Sequence, residues 1–358
     1  MLPILRSFVR AKSGGRMKAC PRMPLLWVLV LCLCPSCGGK MKGLPKPASS
    51  GLPYEVLVVA DPQVWESPAG RTLYKVLDAD VPGLPQAEPS FHIMHAASQD
   101  FDAVLRLARN ILVLDVDSAK HAQASSCCER DVYAASQMVV TVQAPDEASL
   151  ATVVEKEAVS WARLFTQAER ERRVDWLADN HSVQVERQVE EQFACKVWVP
   201  AELAFGKTGR DFFWASTRAV TEDRNFVIYT YPYTGTDVFT KARFIQKRDS
   251  VMRKNIPGAR AGMYMMTDSL RTGVRLLATG GDTLLEARGL WRVKGDFMGG
   301  PFVSHVRVDK AGGRVVVCEI FVYAPGRPKR NLTRLMEASL HTLRLPDDAD
   351  KEENKKQL

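Results

Sequence analysis

Runs of β-branched residues bounded by turn formers punctuate this 358-residue chain, and apolar side chains at helical spacing fill the intervals between them. "YEVLVVA" (54–60), "NILVLDVD" (110–117) and "QMVVTVQA" (137–144) read as strands. Leu73, Val76 and Leu77 mark one helix, and Phe101, Val104, Leu105 and Ala108 behind Asp100 as N-cap mark another. A long helix starts near Asp146, carries Leu150, Val153, Val154, Trp161, Leu164 and Phe165 on one face, and runs through "ERERRVDWL" to about residue 178. The polar stretch "DNHSVQVERQVEEQ" (179–192) reads as a connection that can itself pair as a strand.

The rhythm then recurs. "FACKVWVP" (193–200), "DFFWAST" (211–217) and "NFVIYTYPY" (225–233) are predicted strands, followed by a helix from near Asp237 to "NIPG" (255–258). Further strands are expected near 262–267, 273–278, 283–293, 301–309 and 313–323. A final helix carries Leu332, Leu335, Met336, Ser339, Leu340 and Leu343 between Pro328 and Pro346. The pattern predicts an α+β fold with mixed or antiparallel sheets and helices packed on one face. Its halves span 54–185 and 186–346, and the order strand, strand, helix in each raises a duplicated α+β unit. The charged tail 347–358 has the composition of a disordered segment.

The N-terminus has a different character. "MKACPRMPLLWVLVLCLCPSCGGK" (17–40) has a basic start, an apolar run from Leu25 to Leu33 and then small residues, with Met17 as the expected start of translation. That run is too short to span a bilayer and suits a signal peptide over residues 1–37. Cys37, preceded by Ser36 and followed by Gly38 and Gly39, resembles the cysteine of a bacterial lipobox, although Cys34 stands where a branched aliphatic is usual. Lipidation at Cys37 would anchor the chain to a membrane, and "GGKMKGLPKPASSGLP" (38–53) reads as a flexible tether. No later segment approaches the length of a transmembrane helix.

Removing the leader changes what the charge means. Six of the 49 Lys and Arg residues lie in residues 1–37, leaving 43 against 41 acidic residues, so most of the formal +8 disappears and no nucleic-acid partner is expected. Cys127, Cys128, Cys195 and Cys318 are too few for a disulfide scaffold, and "AKHAQASSCCERD" reads as a loop. His92 and His95 lie three apart on a predicted strand and point to opposite faces, a poor metal pair. The sequence implies no metal and no cofactor.

"RGLWRVKGDFMGGPFVSH" (288–305) is the densest stretch of recognition chemistry. Alternation places Arg288, Leu290, Arg292 and Lys294 on one strand face and Trp291 and Val293 on the other, Gly299 and Gly300 are expected to turn the chain, and His305 lies on the return strand. Two readings stand. In one, Trp291 is core and the arginines pair with Glu286 and Asp296. In the other, Arg288, Arg292, Asp296 and His305 edge a pocket for an anionic or polyhydroxyl ligand, with Trp291 or Phe297 as a stacking platform.

"SSGLPYEVLVV", "DADVPGLPQAEPSF", "RDVYAASQMVV", "DFFWAS", "YTYPY", "RDSVMRKNIPG" and the 288–305 stretch, with "EASLHTL", together resemble a family of Bacteroidetes lipoproteins known as domain of unknown function 4837. The resemblance implies a cell-envelope location and supplies no activity. In such lipoproteins acidic residues soon after the cysteine accompany export to the cell surface, and "GGKMK" has none, which implies a periplasm-facing anchor.

Catalytic signatures fail one by one. "FGKTG" (205–209) lacks the leading glycine of a phosphate loop, no Ser-x-x-Lys accompanies its Lys-Thr-Gly, and a turn between strands is the plainer reading. A lipid-anchored module binding an envelope protein, glycan or cell-wall component is therefore the leading expectation. A structural or assembly role is second, and an unrecognised hydrolase third.

Overall fold

The computed structural model describes residues 45–279, 282–346 and 348. The signal segment, Cys37 and residues 38–44 of the expected tether lie outside the described residues, as does the tail apart from Asp348. No helix among the described residues is long and apolar enough to cross a membrane.

The first half builds one sheet from β1 (Glu55–Val59), β2 (His92–Ala96), β3 (Asn110–Val116), β4 (Ser125–Arg130) and β5 (Met138–Ala144). The strand order is β2-β1-β3-β5-β4, parallel throughout except for β4. Helices α1 (Pro62–Glu66) and α2 (Pro68–Leu77) connect β1 to β2, and the 34-residue α3 (Glu147–Asn180) follows β5. Val56, Val58, Leu112, Leu114, Val140 and Val142 face α2 and α3, where Leu73, Leu150, Trp161 and Phe165 meet them. Leu57, Val59, Ile111 and Val139 face the other way. Burial on both faces explains why these strands read as unbroken apolar runs.

Three local expectations change in this half. The expected helix over Phe101 to Ala108 is replaced by one short 3-10 turn, Leu105–Leu107, preceded by another at Ser98–Asp100, because the Asp102 carboxylate accepts from the backbone N–H groups of Val104 and Leu105, both at 2.9 Å. Phe101, Leu105 and Ala108 still cover the far face of the sheet, and that burial produced their apolar spacing. The Cys127–Cys128 stretch is the edge strand β4, polar because both of its faces are largely exposed. Residues 45–53, assigned to the tether, lie on the body: Ser49 N donates to Ala135 O at 3.1 Å and Ser50 N to Leu107 O at 2.7 Å.

Ser182 caps α4 (Val183–Phe193), so the polar 179–192 stretch is helical, with Val185, Val189 and Phe193 buried. An eight-stranded antiparallel sheet follows from β6 (Phe205–Gly209), β7 (Phe212–Ser216), β8 (Asp223–Pro232), β9 (Met265–Thr267), β10 (Gly273–Thr279), β11 (Asp282–Val293), β12 (Gly299–Asp309) and β13 (Arg314–Tyr323). The strand order is β10-β11-β12-β13-β8-β7-β6, with β9 also pairing β11. One face packs on α4 and α6 (Arg330–Glu337), and the other on α5 (Lys241–Asn255). The fold is mixed α+β, and α5 gives the second sheet helices on both faces.

Residues 193–200 are extended but join no sheet. Cys195, Val197 and Val199 alternate into the core while the backbone pairs only at single bridges such as Lys196 with Arg344. Alternation here reports burial and not pairing. The duplicated unit also dissolves: β3 and β5 are parallel, whereas their proposed counterparts β7 and β8 form an antiparallel hairpin. Residues 45 onward form one compact unit.

Within the second core, Arg248 of α5 reaches Glu319 of β13 through two hydrogen bonds of 2.8 and 2.6 Å, both side chains fully buried. Ser304 and Thr267 complete the network at 2.5 and 2.9 Å. Such a pair is tolerated inside because every charged atom finds a partner.

Candidate functional site: a basic cleft between the two sheets

The β11–β12 hairpin sorts the candidate residues by face. Arg288 and His305 point to the α6 side, as does Glu286, which pairs with His305 in register. Trp291 points to the α5 side, 3% exposed, donating from Nε1 to Val322 O at 3.2 Å and meeting Phe321 edge-on at 5.5 Å. Arg292 is solvent-exposed, Asp296 accepts from the Phe297 backbone N–H at 2.6 Å, and the Phe297 ring stands fully exposed in the turn. The structure thus brings Arg288 and His305 together and leaves Trp291, Arg292, Asp296 and Phe297 elsewhere. Glu319 belongs to the Arg248 network on the opposite face.

The turn is also earlier than expected, over 294–298, with Gly295 at φ 79°. Gly299 and Gly300 are strand residues. A Cβ on Gly300 would fall 2.0 Å from Val322 O, so close backbone approach explains that glycine.

Around Arg288 the charges are tightly partnered. Glu286 accepts from Arg275 at 2.9 and 3.0 Å, lies 3.5 Å from Arg288 Nε, and has His305 Nε2 3.8 Å away. Arg288 also donates to Glu337 of α6. Burial opposes charge on Glu286, yet His305, Arg275 and Arg288 hold its carboxyl well below the usual range. Burial likewise opposes charge on Arg288, and Glu337 and Glu286 overcome it, raising its pKa. Behind them the His305 and His341 rings meet edge-on at 4.8 Å. Burial, His305 and Arg170 push His341 down to about 2, so it is neutral.

This cluster forms one wall of a cavity of about 830 Å³, within the size range of small-molecule sites. Its other walls come from α2, α3, the 79–83 loop and β10. The loop fits because Gly83, at φ 81°, lies against Arg288, where a Cβ would come within 2.7 Å of the Arg288 side chain. Lys75, Arg163, Arg170, Arg271, Arg275, Arg288 and Arg334 line the cavity, against the carboxylates of Glu286 and Glu337. Both carboxylates are committed to Arg275 and Arg288, so the other five cations have no carboxylate partner among the described residues.

Sequence reasoning missed six of these seven basic residues. One signal was legible: on α3, Val159, Ala162, Arg163, Thr166 and Arg170 repeat at helical spacing as a second stripe beside the buried Leu150, Val154, Ala158, Trp161 and Phe165. The rest converge only through the tertiary fold.

An α+β body with a basic cleft between its sheets defines the class, and family comparison places it further. Residues 182–342 match the family model described as a domain of unknown function (DUF4837). Residues 49–176 match another, also a domain of unknown function (DUF8532). The resemblance seen in the sequence therefore holds for the second half, while "SSGLPYEVLVV", "DADVPGLPQAEPSF" and "RDVYAASQMVV" fall within or overlap the other match. Residues from both segments line the cleft. No curated protein matches the chain.

Proposed function

We propose that this protein is a lipid-anchored module of the cell envelope, held at Cys37 and facing the periplasm, that binds an anionic envelope component in the cleft between its sheets. The observation that carries this reading is the charge imbalance, with five of seven basic side chains lacking a carboxylate partner among the described residues around a preformed cavity. Lys75, Arg163 and Arg271 are exposed there and available to a ligand. The apolar part of the wall supports binding by excluding water around the charged contacts.

The test is purification of the full chain in neutral detergent, with mass spectrometry of what accompanies it. The double substitution Arg163→Glu and Arg271→Glu should remove an anionic companion and leave the melting temperature unchanged, since both side chains are exposed. A companion set unaffected by double charge reversal overturns the cleft as the binding site.

A further inference from the structure

Resting on that reading of the cleft, we infer that its ligand is a single-chain anionic amphiphile, an acyl chain ending in a carboxylate or phosphate, and not an anionic sugar. The wall itself decides between these classes. A saccharide needs an open aromatic face and several free hydrogen-bonding side chains. The two aromatic residues in the wall, Tyr54 and Phe91, are 3% and 2% exposed. Arg334 covers both rings, with its guanidinium 4.4 and 5.8 Å from their centroids.

Three uncharged polar side chains of the wall, Thr166, Gln167 and Ser90, are engaged as well. Thr166 Oγ1 donates to Ala162 O at 2.9 Å, and Gln167 Nε2 to Glu171 at 2.8 Å. Ser90 Oγ accepts from Arg334 at 3.4 Å. A polyhydroxyl ligand would find charge but few hydrogen-bond partners.

Apolar side chains, by contrast, line the cavity from four of its elements. Val76 of α2, Val81 and Pro82 of the loop, Val159 of α3 and Val274 of β10 line the cavity between the basic groups. Val159 is half exposed in a helix whose other large apolar residues are mostly buried, and it faces this space. An acyl chain in that trough would be removed from water while Lys75, Arg163 or Arg271 meets its head group.

Photo-crosslinking of the full chain in neutral-detergent micelles tests this. The probes are diazirine-bearing hexadecanoate, hexadecyl phosphate, neutral hexadecanol and a sugar phosphate, with labelled peptides mapped by mass spectrometry. Labelling by either anionic acyl probe at peptides containing Val76, Val159 or Val274 is expected, at least tenfold above hexadecanol, and the stronger of the two identifies the head group. Val159→Glu and, independently, Lys75→Glu should each reduce it several-fold; both positions are exposed, and unchanged melting temperatures verify the fold. Equal labelling by hexadecanol overturns the inference, because no head group is then recognised. Labelling of the same peptides by the sugar phosphate alone overturns it while leaving the anion site intact. Absence of cleft labelling by every anionic probe overturns both readings.

Discussion

Glu88, in the loop after α2, caps a helix that begins 242 positions later: its carboxylate accepts from Arg330 N at 2.7 Å and from Lys329 N at 2.7 and 2.9 Å. Arg330 and Arg334 return the contact, donating to Pro89 O at 2.7 Å and Ser90 O at 2.8 Å. The first N–H groups of a helix need acceptors, and α6 takes them from the other half of the chain. Because Glu337 on the same helix pairs with Arg288, this cap also fixes one wall of the cleft.

Glu88→Ala should therefore cost about 1–2 kcal/mol in denaturant unfolding. Glu88→Gln, which keeps one acceptor oxygen, should lose less. If Glu88→Ala unfolds like the parent protein, the helix start is satisfied by water and the cap is incidental.

Arg248 and Glu319 make a second test inside one core. Removing one partner strands a buried charge, so Arg248→Ala or Glu319→Ala should each destabilise by about 3–5 kcal/mol. The pair Arg248→Met with Glu319→Leu should recover most of that loss. A double variant as unstable as either single one would show that the network also determines packing around Ser304 and Thr267.

The elements were legible where one physical signal dominated, and obscure where burial imitated pairing. β3, β5, β8 and β11 to β13 appear in the sequence because two-sided burial concentrates β-branched residues there. Residues 193–200 alternate just as clearly but lie beneath a sheet without joining it. α4 was obscure because its three buried residues, Val185, Val189 and Phe193, stand among charges that resemble a linker. The 288–305 stretch did point to the cleft through Arg288, yet its aromatic Trp291 belongs to the opposite core. The remaining cations come from α2, α3, α6, β10 and the loop before β10, and apart from the α3 stripe no local pattern announces that convergence.

The two candidate arginines of that hairpin should separate cleanly. Arg288 is partly buried and held between Glu286 and Glu337, so Arg288→Ala should lower stability by about 2–3 kcal/mol and disturb the cleft. Arg292 is exposed and away from the wall, so Arg292→Ala should remain within about 0.5 kcal/mol of the parent. The two share a strand face, so equal effects in thermal unfolding would contradict the difference in burial and pairing.

Membrane attachment is tested at Cys37, with Ser36 before it and glycines after it. Cys37→Ala should leave the precursor unprocessed and abolish incorporation of an alkyne fatty acid. Labelling that persists, or a mature N-terminus mapped elsewhere, removes the anchor from the proposal.

His341 supplies a pH dependence with a defined sign. The folded protein holds its ring neutral, with the pKa depressed to about 2, whereas the unfolded chain protonates near 6.5. Protons therefore favour the unfolded state between these values: the stabilisation is complete above about pH 7 and declines as pH falls, by less than about 1.4 kcal/mol per unit. Glu286, held below the usual carboxylate range, adds its own loss only below about pH 4.5. The window from pH 6.5 to 5 thus separates the histidine from Glu286, and comparison with a His341 variant separates it from the other five histidines. Its surroundings are His305, Arg170, Glu286 and Arg288, so the net field includes two arginines that further oppose protonation. His341→Gln should flatten the urea-unfolding free energy across that window relative to the parent protein. If both proteins lose stability with the same slope between pH 6.5 and 5, His341 is not held neutral and the packing assigned behind the cleft is incorrect.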